Sequence, residues 1–394
     1  MLEDIDRLME LEEVDGLLAF GNAFENPDIF WLTGFRSLDD ISFLHNRGEE
    51  SLVATSFHAL ERVTKESFIK RTHDLTEVVR SLMKEGRRAS DFPEILLKNM
   101  LNAEFSGEVL GVPDHFPASR LVAVQNLGYK VKVVPDLLKD ARATKSADEI
   151  NLIEKAGKAT IGAISQVIEM IRDADIGAND ILLYNKKPLT VKDVKLALDH
   201  FLLDHGAESA EDAILAVGEK GFDWHYLGLP EDKLKAGVPI IMDVFPRLKQ
   251  EFYVADVTRT VVKGKPDDKV KQMFDAVLAA GDAVFDAMTD GANIDEVNLE
   301  CYNTFKKHGF DSSRLNPSAV EGMTHGLGHG IGLAIHENPS LYKRDACYED
   351  GHVVAIEPGV YLKAHGGVRM ENDFVVTKGK PRRTTLGLDD AMYL

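Results

Sequence analysis

Cysteine is almost missing from this chain. Only Cys301 and Cys347 are present, too few for a disulfide framework or a four-thiolate zinc site, so a reducing cytoplasm suits the composition better than secretion. Positive charge is also in short supply: 46 Lys and Arg face 65 Asp and Glu, a formal net charge of −19. A field of that sign repels phosphate backbones and anionic lipid surfaces, so neither a nucleic acid nor a membrane is expected as a partner. The same charge is compatible with attracting divalent cations, and keeping the protein soluble accounts for it just as well. Long apolar runs are lacking too; none reaches the ~20 residues that a bilayer crossing requires. The opening MLEDIDRLMELEEVDG has no basic start and no uninterrupted apolar stretch, so no secretory leader is expected.

What remains is an ordinary globular composition. With 394 residues, 44% of them hydrophobic, the length suggests two domains with real cores. Up to about residue 140, short apolar runs alternate with helical patterns. Residues 14–20, 51–55 and 108–112 read as strands, and the stretches near 75–86 and 91–103 as helices, which suggests a small α/β domain. The pattern changes at Ser146-Ala147-Asp148-Glu149, whose ends have capping-box spacing. Behind it Ile150, Ile153, Ile161, Ile164, Ile168 and Ile171 fall mostly on one helical face. The boundary belongs just before this helix, giving an N-terminal domain over 1–141 and a C-terminal domain over 142–394. The C-terminal domain reads as two similar halves. Helices near 147–172 and 191–205 precede apolar runs at 238–245 and 252–262; helices near 267–289 and 294–309 precede runs at 353–362 and 368–377. Each half thus offers helices and then a hairpin, and each hairpin carries two acidic residues.

Those acidic residues are in unusual company. Asp243 interrupts Ile240-Ile241-Met242, and Asp256 stands before Val257-Thr258-Arg259-Thr260-Val261. Glu357 follows Val353-Val354-Ala355-Ile356, and Glu371 follows Gly367-Val368-Arg369-Met370. A charge among apolar neighbours is costly unless paired or coordinated. His325, His329 and His336 punctuate a glycine-rich run. Taken singly, each has a plain reading: a strand Asp can be a bulge or an ion-pair partner, Glu357-Pro358-Gly359 a turn, the His-Gly run a surface loop. That run carries no G-x-G-x-x-G fingerprint, and Ser340, four after His336, rules out a zinc-protease helix. Taken together, four carboxylates and one imidazole suit two divalent cations such as manganese, iron, cobalt or zinc, which would also cancel the four negative charges.

With Phe30-Trp31-Leu32-Thr33-Gly34-Phe35, Arg142-Ala143-Thr144-Lys145-Ser146 and five ligand positions in order, Asp243, Asp256, His329, Glu357 and Glu371, the chain resembles the metallopeptidases that include aminopeptidase P, prolidase, methionyl aminopeptidase and creatinase. The resemblance implies a creatinase-like α/β N-terminal domain and a pseudo-symmetric α+β catalytic domain, the pita-bread fold. It implies that Asp256 and Glu371 bridge two metals, that Asp243 completes one site, and that His329 with Glu357 completes the other. Manganese is the first expectation, with cobalt, zinc and iron as alternatives. By the same resemblance His225 and His336 stand beside the substrate as catalytic groups, and Glu357 shuttles a proton.

His325 and Arg369 match the proline-specific branch and are expected at the substrate. The implied reaction is hydrolysis of Xaa-Pro bonds by a hydroxide bridging the metals, on peptides with proline second, in a cytoplasmic homodimer. A methionyl-type or other aminopeptidase, a creatinase-like C–N hydrolase and a peptide-binding module are the alternatives. Two departures stand out. Asp243 and Asp256 are 13 positions apart, two more than usual in the family, and Glu371 is followed by Asn372-Asp373, where Asp often comes first. The polar segment from Pro246 to Glu251 is expected to absorb the extra residues, leaving both carboxylates on one face.

Overall fold

The backbone of the computed structural model, described over residues 2–388 and 392–394, divides into two units, Met1–Arg142 and Ala143–Leu394. In the first unit Gly16–Gly21, Leu52–Thr55 and Val109–Val112 form strands, and Thr76–Lys84 and Pro93–Glu104 form helices. Three further strands, Ile41–Asn46, Arg71–Asp74 and Lys130–Val133, complete a six-stranded sheet. Its central pairings are antiparallel and its outer ones parallel. Ile41–Asn46 is buried along nearly its whole length, so it lacks the period-two alternation by which strands are recognised. Lys130-Val131-Lys132-Val133 is an exposed edge, where lysines discourage pairing with another sheet.

The second unit begins at the expected cap. Ser146 Oγ accepts from the Glu149 N–H at 3.3 Å, and Glu149 Oε2 accepts from the Ser146 N–H at 2.8 Å. The helix they start, Ala147–Asp173, buries Ile153, Ile161, Ile164, Ile168 and Ile171 and packs on Val191–Asp204. In the second half Asp268–Ala287 packs on Ile294–Lys307 in the same way. Each helix pair is followed by a four-stranded sheet. One has the order Ile214–Val217, Ile240–Val244, Val257–Val262, Met392–Tyr393; the other has Gly328–Gly330, Val353–Ile356, Asn372–Val375, Arg382–Arg383. The repeat visible in the sequence pattern is thus a repeat of three antiparallel strands, while the fourth pairs parallel in the first sheet and antiparallel in the second. No helix among the described residues is long and apolar enough to cross a membrane.

The apolar runs are not continuous strands. Residues 353–362 break into Val353–Ile356 and Gly359–Leu362, and residues 368–375 divide around Glu371. The halves of this broken hairpin pair separately, Val353–Ile356 with Asn372–Val375 and Gly359–Leu362 with Gly366–Arg369. Both breaks fall at acidic residues. Pro358 offers no N–H, and the Glu371 N–H turns away to Thr258 O, 3.1 Å off in the other half. The longer connection after Asp243 behaves differently from a simple turn. Pro246–Leu248 forms a short strand against Ala207–Ser209, and only residues 249–251 turn.

Close approach explains one glycine of the His-rich run. A Cβ on Gly328 would lie 1.9 Å from Ala355 O in the neighbouring strand. Gly328→Ala should therefore push the Gly328–Gly330 strand off its partner. The expected cost is at least ~1–3 kcal/mol, read by urea unfolding. An unchanged midpoint would show that the strand relaxes freely.

Candidate active site

Asp243 lies inside the Ile240–Val244 strand, Asp256 one residue before Val257–Val262, and His329 at the centre of Gly328–Gly330. Glu357 follows Val353–Ile356, and Glu371 precedes Asn372–Val375. All five, from both sheets, line one cavity of about 430 Å³, together with His225, His336 and Arg369. Asp256, His329 and Glu371 each bring a ligand atom within 4.8 Å of the others. His329 Nε2 stands 3.8 Å from both Asp256 Oδ2 and Glu371 Oε1. The lengthened connection leaves Asp243 and Asp256 on the wall of the same cavity.

The electrostatics are those of crowded, buried acids. Burial, with Glu371 and Asp243 adding to it, holds Asp256 well above the usual carboxylate range. Glu371 is raised by burial and by Glu357 and Asp243. Burial pushes Glu357 up to about 8, against the pull of Arg369. His329 is pushed down to about 4 by burial and by His336, so its imidazole is neutral and has a lone pair to give. Asp243 Oδ1 and Asp256 Oδ1 are buried with no hydrogen-bond partner. Buried polar atoms are rarely left so. Orphaned carboxylate oxygens beside a neutral imidazole are the donor set a divalent cation requires.

Arg369 frames this cluster. Its guanidinium is 2% exposed and donates from Nη2 to Asp243 Oδ2 at 2.6 Å. Nη1 donates to Tyr361 Oη at 2.8 Å and to Trp224 O at 3.4 Å, and Nε to Thr258 Oγ1 at 3.2 Å. The chain of contacts continues outward. His325 Nδ1 can only donate to Gly326 O, 2.7 Å away, so its Nε2 accepts from the Tyr361 hydroxyl at 2.9 Å. Burial, helped by Arg369, pushes His325 down to about 3 and keeps it neutral. His325, expected at the substrate, therefore stands one layer back, with Nδ1 3.7 Å from Glu357 Oε2. Thr258 Oγ1 donates to Glu371 Oε2 at 2.7 Å.

His336 packs edge-on against His329, ring centroids 4.3 Å apart. His225 is exposed at the cavity, its ring T-shaped against Trp224. Sequence reasoning missed several neighbours. Thr258 had a usable signal, because period two puts it on the face of Asp256. Tyr361 had none: it reaches Arg369 only because Gly359–Leu362 and Gly366–Arg369 form a hairpin. Glu211 and Asp212, also on the cavity wall, lie in a polar stretch that resembles any loop.

The sequence profile of metallopeptidase family M24 matches residues 151–378. Xaa-Pro dipeptidases of Pyrococcus horikoshii and Pyrococcus furiosus are each 30% identical over 261 residues, 64% of this chain. Those matches span 66% of the relatives, just under two thirds of their length. The crystal structure of the Pyrococcus horikoshii prolidase superimposes with a TM-score of 0.78 at 23% identity, over 99% of both chains. The Bacillus anthracis Xaa-Pro dipeptidase gives 0.78 at 22% identity, over 100% of this chain and 99% of that one. The fold is therefore the expected pita-bread fold. A cavity walled by acids from both halves of that fold, and a profile match across most of the second unit, lead to one family: the chain belongs to metallopeptidase family M24.

Proposed function

We propose that the chain is a two-metal peptidase that cleaves Xaa-Pro bonds. The observation that carries this reading is the pair of orphaned oxygens, Asp243 Oδ1 and Asp256 Oδ1, buried beside His329, Glu357 and Glu371 on one cavity wall. The proline specificity rests on relatives whose names state it. Asp243, Asp256, His329, Glu357 and Glu371 would hold the ions. Four carboxylates and one imidazole favour manganese over softer metals. Two such ions supply a water acidified toward neutrality and a polarised scissile carbonyl.

The chain's own groups do the rest. Proline's nitrogen must gain a proton before it can leave, and Glu357, on the wall of the cavity, is placed to take one from the attacking water and give it to that nitrogen. His336 and His225 face the same cavity and would stabilise the carbonyl oxygen as charge gathers on it. Arg369 lines the cavity and holds Asp243 through Nη2, so it would act at the substrate both directly and through that carboxylate. We also infer a cytoplasmic homodimer; the unpaired Cys301 and Cys347 agree with a reducing compartment.

Three outcomes are expected. Metal-depleted protein should be inactive and regain turnover of Xaa-Pro peptides with manganese, while Xaa-Ala analogues stay poor substrates; equal rates on both would move the chain to another branch. Because Glu357 is raised to about 8 and Asp256 and Glu371 are raised as well, the ion-free cluster keeps protons to higher pH than ordinary carboxylates do. Loading must release them, so affinity should rise with pH up to and through about 8. Calorimetry in buffers of different ionisation enthalpy reads the release, and pH-independent loading without proton release would contradict it. His336→Ala should retain metal yet lose ~10²–10³ in kcat, whereas Glu371→Ala should lose metal; equal metal loss in both would make His336 a ligand.

A further inference from the structure

Beneath the loop that carries His336 lies an ion pair that none of the proposed ligands needs. Lys145 Nζ is 2.9 Å from Glu337 Oε1, and each side chain is 2% exposed. Lys145 Nζ also donates to Asn338 O at 3.3 Å and to Ala143 O at 3.2 Å. The lysine itself is held firmly. Its N–H donates to Gly351 O at 2.9 Å, and the next residue, Ser146, caps the Ala147–Asp173 helix. Glu337 closes the base of the loop through its own N–H, which donates to Gly330 O at 3.0 Å. Its carboxylate turns under the loop, where Oε2 accepts from the Ala334 N–H at 3.4 Å. Room for it exists because position 332 is glycine; a Cβ there would lie 2.1 Å from Glu337 Oε1.

Full burial of two charges gains little stability over an apolar pair of similar volume, but it fixes one geometry. The geometry fixed here belongs to the neighbouring residue, His336, whose ring meets His329 at 4.3 Å. We propose that the Lys145–Glu337 pair is a positioning device: it sets the loop so that the His336 imidazole faces the reacting carbonyl. The inference rests on the role given to His336 above. A misplacement of about 1 Å in a catalytic group can cost up to ~10²-fold in rate, so a pair that never touches substrate can govern turnover.

The test uses the full-length, manganese-loaded protein and an Xaa-Pro peptide. Lys145→Met strands Glu337 in the interior and can destabilise the fold, so Lys145→Met/Glu337→Leu is made beside it as an apolar replacement. Both pair changes are repeated in a His336→Ala background. In the wild-type background the apolar pair should lower kcat about tenfold or more, with KM within about twofold, metal content unchanged and melting temperature nearly unchanged. In the His336→Ala background the same change should cost almost nothing further, since two residues acting through one group are not additive. Equal losses in both backgrounds would overturn the proposal, as would metal loss or a fall in melting temperature that tracks the loss of rate. If His336→Ala alone leaves kcat intact, the role of His336 fails and the inference falls with it, a result distinct from equal losses.

Discussion

The second unit answers to one constraint: like charges must be kept together out of water. Two unit charges 4 Å apart repel by about 4 kcal/mol at an effective dielectric of about 20, and burial adds to the cost of keeping each ionised. Side chains left to themselves would rotate away from such a cluster. Backbone geometry prevents it. Glu357 and Glu371 sit at the two breaks of one hairpin, and the Glu371 N–H is taken by Thr258 O of the other half. The strands can change partners there because the seam between halves supplies the missing acceptor. The cluster and the pseudo-symmetry are thus one feature: neither sheet alone presents enough carboxylates, and their junction does.

A second layer restrains the first without neutralising it. Arg369 lends its charge to Asp243, and Tyr361 relays its hydrogen bonding to a neutral His325 behind Glu357. This limits how much positive charge the protein provides. One guanidinium against four carboxylates leaves most of the negative charge for cations to cancel, and Asp243 Oδ1 and Asp256 Oδ1 are left buried without a hydrogen-bond partner. Arg259 is fully buried below the same seam, donating to Thr258 O and Glu371 O at 2.8 Å each and to Asn372 Oδ1 at 2.8 Å. Asn372 serves there as an acceptor where the resemblance often has Asp. The carboxylate one residue on, Asp373, accepts from the Asp256 N–H at 3.0 Å.

How much of this could be read in advance depended on range. The capping box at Ser146 and Glu149, the isoleucine face behind it and the acids set among valines and isoleucines are local signals, and each marks something real in the structure. What escaped was non-local. Ile41–Asn46 is covered on both faces and shows no alternation. His325, four residues before His329, was expected at the substrate. Its ring instead faces Tyr361, 36 positions away. Lys145 was visible only as part of a motif, because its partner Glu337 is 192 positions later in the sequence. Pairings of that span leave no periodicity behind them.

The long connection between Asp243 and Asp256 shows why an insertion beside a charged cluster can be tolerated. Extra residues confined to one arm by an odd number would have turned one carboxylate to the opposite face. Here they build a rib that leaves the sheet. Pro246–Leu248 departs after Phe245 and pairs with Ala207–Ser209, and Glu208 braces it through Arg247 at 2.8 Å and Lys249 at 2.6 Å. Phe252, at φ +62°, reverses the chain, and Val254 rejoins Arg247 in a single antiparallel bridge. The register Asp243 opposite Thr258 is set by the strands inside the rib's base, not by its length. Length is therefore free to vary on the outside while the carboxylates inside keep their faces.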